Sequence, residues 1–178
     1  MSKKQLAGCS VTAIIALVLT LFLGEIRTGE AGLSLIGNAE GCIRDPYHCP
    51  AGVLTVGMGS TGNVNPEKRY SDEEIARRWV DDIKTAESCV NSRFNGRDMP
   101  QPTFEAMTSL AFNLGCAGIR WNSKARRPTQ IYQYAQAKNW PAMCQRIPDF
   151  SYSGGKRLRG LEIRRNTEMA HCLSGASS

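Results

Sequence analysis

The residues best suited to chemistry lie between positions 39 and 59, where one glutamate, two cysteines and a Gly-rich turn follow one another closely. A glycosidase needs a carboxylic acid beside the leaving oxygen and a second group that handles water or the sugar. Glu40 suits the acid role because it is a carboxyl at the expected end of a short helix, close to apolar residues. Asp45 is the neighbouring candidate for the second group, although a lone glutamate is more often an ordinary surface carboxylate.

The seven cysteines favour disulfides over a metal site. No Cys-x-x-Cys pair occurs, and the only histidines, His48 and His171, are far apart, so we expect no metal. Disulfides need an oxidising compartment, and an odd number leaves one thiol over or makes it change partners. Cys42 and Cys49 could form a permanent disulfide that closes a loop, or a disulfide that later exchanges partners. Their spacing alone favours the permanent bond. Thr55 in a short strand is by itself typical of β-structure.

The chain has 178 residues and a net charge of +6, enough for one ordinary domain with a hydrophobic core. The positive charge is concentrated late: residues 120–178 hold eleven Lys/Arg and three Asp/Glu, a difference of +8. A basic region of this kind indicates an anionic partner such as nucleic acid, acidic lipid or a cell-wall polymer. The alternative is a solvated basic face that only confers solubility.

The N-terminal segment predicts a membrane anchor. Lys3 and Lys4 precede an uncharged, mainly apolar run at 6–24. As a helix this run would rise ~28 Å, about the thickness of a bilayer core. The lysines predict a cytoplasmic N-terminus and a body on the outer side of the membrane. We therefore expect an anchor at 1–28 and one domain at 29–178.

A cleaved signal peptide is the alternative, with a small-x-small site at 29–31. The length of the apolar run favours an uncleaved anchor. The first half of the run contains Gly8, Cys9, Ser10 and Thr12, which contribute little transfer energy, so the span is marginal and could leave the membrane.

The remaining pattern predicts an α+β fold with a small sheet early and helices late. A helix at 33–40 should end at Gly41, and a strand at 53–58 should form a hairpin sheet. A capping box at 71–74 should open a long helix. Further helices are expected at 102–113, closed by Gly115, and at 129–137, 141–146 and 160–173, with a loop at 149–156.

The spacing of the candidate residues resembles the signature of the phage-type lysozymes, glycoside hydrolase family 24. Glu40 is followed after eight residues by Cys49, and after five more by Thr55 and a Gly-x-Gly turn at 57–59. The resemblance continues through 111–115 and 160–165 and covers roughly 33–172. With the apolar N-terminal run, the chain is similar to signal-anchor-release (SAR) endolysins of this family.

The resemblance implies a lysozyme-like fold and hydrolysis, with inversion, of the β-1,4 bond between N-acetylmuramic acid and N-acetylglucosamine in peptidoglycan. It implies that Glu40 is the general acid, that Cys49 occupies the position of a more common Asp, and that Thr55 holds the attacking water. Arg164 or its neighbour Arg165 would pair with the acid, unless it faces water. Asn113 would hydrogen-bond sugar, unless it caps a helix.

The resemblance also implies a redox lock. Cys42–Cys49 would form first and block Cys49, while Cys9 stays inside the bilayer. After release, the Cys9 thiolate would attack Cys42, forming Cys9–Cys42 and freeing Cys49, as thiol or thiolate. The remaining four cysteines would make two structural bridges, proposed as Cys89–Cys116 and Cys144–Cys172 because each would join neighbouring helices.

The expected partners are peptidoglycan, the host inner membrane and the Sec export machinery. We expect a monomer without a cofactor, first at the inner membrane with a periplasmic body and then soluble in the periplasm. Nucleic acid is a less favoured partner because the domain at 29–178 is expected to lie outside the cytoplasm. Two other functions stay open: a lytic transglycosylase, and a catalytically dead, membrane-tethered wall-binding or pore-forming protein.

Overall fold

The computed structural model describes residues 7–49 and 52–176, which fall into an N-terminal unit, Met1–Lys84, and a C-terminal unit, Thr85–Ser178. The boundary lies within one long helix. The helices are α1 Val11–Leu21, α2 Glu30–Glu40, α3 Asp72–Arg93, α4 Gln101–Arg120, α5 Gln130–Gln136, α6 Trp140–Cys144 and α7 Arg159–Ala176. The strands are β1 Ile43–His48, β2 Leu54–Gly57, β3 Ser60–Thr61, β4 Trp121–Asn122, β5 Arg127–Pro128, β6 Tyr152–Ser153 and β7 Lys156–Arg157, with 3-10 turns at Gly96–Asp98 and Ile147–Phe150.

The apolar N-terminal run is divided into an extended piece and a short helix. Gly8 bridges to Ile43, and the Cys9 N–H donates to the Cys42 carbonyl at 3.2 Å. The Ser10 hydroxyl then caps α1, which has 11 residues rather than the 19 of a continuous helix through the run. Within 7–49 and 52–176, no helix combines the length and the apolar character needed to cross a membrane. Lys3 and Lys4 lie outside the described residues.

The prediction for the region around the candidate acid is confirmed in its main features. α2 ends at Glu40, and Gly41 takes the positive φ of 71° that suits glycine after a helix. The helix begins three residues before the expected position, at Glu30. The following strands form a three-stranded antiparallel sheet in the order β1-β2-β3.

The capping box that opens α3 is also confirmed. The Ser71 hydroxyl accepts from the Glu74 N–H at 3.2 Å, and the Glu74 carboxylate accepts from the Ser71 N–H at 3.1 Å. Its first turns bury Ile75 and Trp79 completely or nearly so. The N-terminal unit thereby gains a core beside the sheet.

The C-terminal unit is mainly helical, as expected, but one local prediction is wrong. Gly115, with a φ of 72°, ends the first helical segment of α4 as predicted, and a second segment continues to Arg120. Residues 149–156 are not a simple loop, because a 3-10 turn leads into the β6–β7 hairpin. Gly154 and Gly155, with φ of 58° and 78°, form the two-residue turn that such a hairpin requires.

Glu25 fastens the segment after α1 to α3 and makes this attachment pH-dependent. Two Arg77 nitrogens donate to its carboxylate at 2.7 and 2.8 Å, Lys84 pairs with it as well, and the Arg77 guanidinium lies 3.9 Å from the centre of the Phe22 ring. Arg77 first, and then Lys84, lower the pKa of Glu25 from its ordinary 4.5 to about 2. Because the folded pKa lies below the ordinary one, the stabilisation is present above pH 4.5 and is lost as the pH falls toward 2.

We therefore expect Glu25→Gln to remove part of the fall in stability between pH 4.5 and 2. The measurement is the urea midpoint at several pH values for wild type and variant. Glu67→Gln is the matched control, because that carboxyl makes no ion pair among the described residues. Parallel curves for wild type and Glu25→Gln would contradict the assignment.

Candidate active site

Glu40 stands at the end of α2 against the turn that follows β2. A Cβ atom placed on Gly59 would lie 3.4 Å from the Glu40 Oε2 atom, and Gly59 has a φ of 91°. A glycine at 59 therefore provides both the left-handed turn and room for the carboxylate. The Glu40 side chain remains partly exposed.

Cys49 and Thr55 are tied to one backbone carbonyl. The Cys49 N–H donates to the Val53 oxygen at 3.0 Å, and the Thr55 hydroxyl donates to the same oxygen at 2.9 Å. Thr55 is only 3% exposed. The hairpin between β1 and β2 thus holds two of the three predicted catalytic residues close together, although 50 and 51 at its tip are outside the described residues.

Tyr47 lies beside the candidate site and was not predicted from the sequence. It lies directly opposite Thr55 in the β1–β2 pairing, so the two side chains share a face of the sheet. Burial raises the pKa of the Tyr47 phenol above its ordinary 10.0, and the charges of Glu40 and Cys49 raise it further. The phenol is therefore near both groups, and only the strand register could have revealed it.

The disulfides leave one cysteine at the candidate site as a thiol. All seven cysteines lie in described residues, and the bonds are Cys9–Cys42, Cys89–Cys116 and Cys144–Cys172. Cys49 is outside these bonds and half-buried. The Cα atoms of Cys9 and Cys42 are 5.1 Å apart, within the ordinary range for a disulfide.

Asp45, considered as the second catalytic group, is instead engaged with the N-terminal segment. Its carboxylate accepts from the Ala7 N–H at 2.8 Å and from the Arg69 guanidinium at 2.8 Å. The neighbouring Arg44 donates to the Gly8 carbonyl at 3.2 Å. These two β1 side chains position the extended piece that carries Cys9.

In the C-terminal unit, Arg165 and Glu168 form a fully buried ion pair. A water-facing Arg165 is therefore wrong. Arg164 donates to the same carboxylate at 3.1 Å, and Arg165 donates to the Asn113 side-chain oxygen. Glu168 was missed, although its spacing of three and four residues from the arginines is typical of helical ion pairs. The roles of Arg164 toward Glu40 and of Asn113 toward sugar stay predictions.

An acid at a helix end beside a small antiparallel sheet, together with a mainly helical second unit, defines a lysozyme-like fold. The chain belongs to the phage lysozyme family, whose model matches residues 37–168, and it is therefore a glycoside hydrolase. It is 49% identical to the SAR-endolysin of Escherichia phage P1 over 98% of both chains.

Two solved structures are similar to this chain to different degrees. The active form of the P1 phage endolysin Lyz matches 95% of this chain and 96% of its own, with a TM-score of 0.88 and 47% identity. The secreted inactive form of the same endolysin matches 83% of this chain and 96% of its own, with a TM-score of 0.61 and 49% identity. The fold described above is thus nearer to the active form.

Proposed function

We propose that this chain is an endolysin that hydrolyses the β-1,4 bond between N-acetylmuramic acid and N-acetylglucosamine in peptidoglycan and so lyses the host cell. Glu40 protonates the leaving oxygen, while Cys49, in the position of a more common Asp, and Thr55 act on the attacking water. The enzyme is exported inactive, tethered by residues 1–28, with the body at 29–178. Release from the membrane activates it.

The observation that carries this proposal is the arrangement of three cysteines. Cys9 is bonded to Cys42 while Cys49 is a thiol beside Thr55, which is the arrangement that the exchange would leave. In that step the Cys9 thiolate attacks the Cys42 sulfur, a new S–S bond forms, and the Cys49 sulfur leaves with the electron pair of the broken bond. No external oxidant is needed. The greater similarity to the active form of the phage P1 enzyme supports the assignment of the Cys9–Cys42 bond to the state after exchange.

The docked N-terminal segment gives the exchange its driving force after release. Ile14, Ile15 and Val18 of α1 are buried in this structure. Burying three such side chains contributes ~5–9 kcal/mol as an upper estimate, relative to leaving them in water. A segment that has left the bilayer therefore folds onto the body, and this brings Cys9 to Cys42.

The membrane tether at 1–28 determines where the protein is located and which partners it meets. The N-terminus stays in the cytoplasm while the Sec machinery exports the body, which is held at the inner membrane and then becomes a soluble monomer in the periplasm. Its substrate is peptidoglycan, and it needs neither cofactor nor nucleic acid.

The test is cleavage of purified peptidoglycan in heavy-oxygen water by the soluble full-length chain, under oxidising and under reducing conditions. We expect new reducing ends that carry the heavy oxygen. Anhydro-muramic ends would identify a lytic transglycosylase instead. No new chain ends under either condition would identify a wall-binding protein with an inactive site.

Peptidoglycan peptides carry carboxylates, and the C-terminal unit has a basic cavity of about 600 Å³ that could attract them. Lys124 and Arg127 line it and pair with no carboxylate among the described residues, beside the half-exposed ring of Trp121. We expect the double variant Lys124→Ala/Arg127→Ala to weaken peptidoglycan binding on the order of fivefold at low salt. The loss should vanish at high salt, because ions screen exposed charges.

Binding of the soluble protein to sedimented peptidoglycan measures this effect. Arg97→Ala/Lys156→Ala is the matched control, since it removes the same charge from the same unit at residues that do not line the cavity. Equal weakening by both double variants would assign the effect to net charge alone.

A further inference from the structure

The face of the sheet that carries Thr55 also carries Tyr47, a polar side chain without an assigned function. Tyr47 is the last residue but one of β1 and lies directly opposite Thr55 on β2, so the two side chains share this face. Cys49 follows the end of β1, and its N–H donates across the same hairpin to the Val53 carbonyl. The phenol and the Thr55 hydroxyl therefore lie on one face of the sheet, beside the turn that carries Cys49.

The Tyr47 phenol is available for a ligand. It is half-buried, and its hydroxyl makes no hydrogen bond to the described residues. Because burial first, and then the charges of Glu40 and Cys49, raise the pKa of the phenol above its ordinary 10.0, it keeps its proton throughout the neutral range. It is therefore a protonated hydrogen-bond donor on the face of the sheet that carries Thr55.

The hydrogen bonds of the attacking water show why a donor is required. The Thr55 hydroxyl already donates its proton to the Val53 carbonyl, so toward water its oxygen can only accept. The Cys49 sulfur also acts as an acceptor. These two acceptors hold the two protons of the water, and one lone pair is directed to the anomeric carbon. The second lone pair needs a donor to fix the orientation of the molecule.

We propose that Tyr47 supplies this donor and is a water-positioning residue of the hydrolytic reaction. The inference rests on the proposed hydrolase function. Tyr47 transfers no proton: its O–H donates a hydrogen bond to the water oxygen, and the proton that the water loses passes to the Cys49 thiolate, which becomes a thiol. Thr55 and Cys49 accept the two protons of the water, Tyr47 donates to one lone pair, and the other lone pair is left for the anomeric carbon.

The test is a double-mutant cycle on peptidoglycan cleavage with Tyr47→Phe and Thr55→Val. Tyr47→Phe should lower kcat about tenfold, the equivalent of one hydrogen bond made in the transition state, with KM changed less than twofold. In the Thr55→Val background the same change should cost less than about twofold, because groups that hold one water act as a unit. Tyr134→Phe is the control, since that phenol makes no hydrogen bond to described residues.

An unchanged kcat for Tyr47→Phe would overturn the inference. A tenfold loss of kcat of equal size in the wild-type and Thr55→Val backgrounds would also overturn it. So would a loss of kcat accompanied by a lower thermal unfolding midpoint, because either result indicates a structural role. A wild-type protein that cleaves no peptidoglycan would overturn the proposed function itself, which is a different result from an active wild type that is indifferent to Tyr47→Phe.

Discussion

Glu40→Gln is expected to abolish peptidoglycan cleavage under oxidising and reducing conditions alike. A glutamine fills the same space at the end of α2 but cannot give a proton to the leaving oxygen. Loss of a general acid costs about 10²–10⁴ in rate. The measurement is the release of reducing ends from purified peptidoglycan, followed over a long incubation so that a small residual rate is visible.

Glu30→Gln is the matched control because Glu30 is an exposed carboxyl in the first turn of the same helix. It should keep near wild-type activity. Substantial cleavage by Glu40→Gln would remove Glu40 from the acid role. Loss of activity in both variants would indicate damage to α2 rather than to chemistry.

Cys9→Ser is expected to keep the exported enzyme locked in an oxidising periplasm. Without the Cys9 thiolate nothing in the chain opens Cys42–Cys49, so Cys49 stays bonded and unable to act on water. Activity should fall at least about a hundredfold, the scale of losing a catalytic base. Reductant should rescue this variant, because reduction of Cys42–Cys49 replaces the missing exchange.

Cys42→Ser is the complementary variant. It cannot trap Cys49 in the bond with residue 42, so it should be active without waiting for Cys9. Disulfide mapping of the membrane-bound and released wild type should give Cys42–Cys49 in the first and Cys9–Cys42 in the second. Normal lysis by Cys9→Ser under oxidising conditions would contradict the exchange.

Local structure was predictable wherever neighbouring residues decide it. The capping box of Ser71 and Glu74 and the helix end at Gly41 depend on interactions within four residues, and both are confirmed. Residues 149–156 were wrongly expected to be a loop because a hairpin this short has little apolar alternation to mark it. The length and apolar character of the run at 6–24 predicted only whether it could cross a bilayer. In the structure, Gly8 of this run pairs with Ile43 of β1.

The sequence by itself determined the spacing of Glu40, Cys49 and Thr55, the family that this spacing resembles, and the odd number of cysteines. These features are read along the chain and need no coordinates. Only the tertiary structure decided that one Val53 carbonyl holds both Cys49 and Thr55, and that Tyr47 stands opposite Thr55. Such contacts depend on strand register and on where the chain turns back, and a shift of one residue would move every side chain to the other face of the sheet.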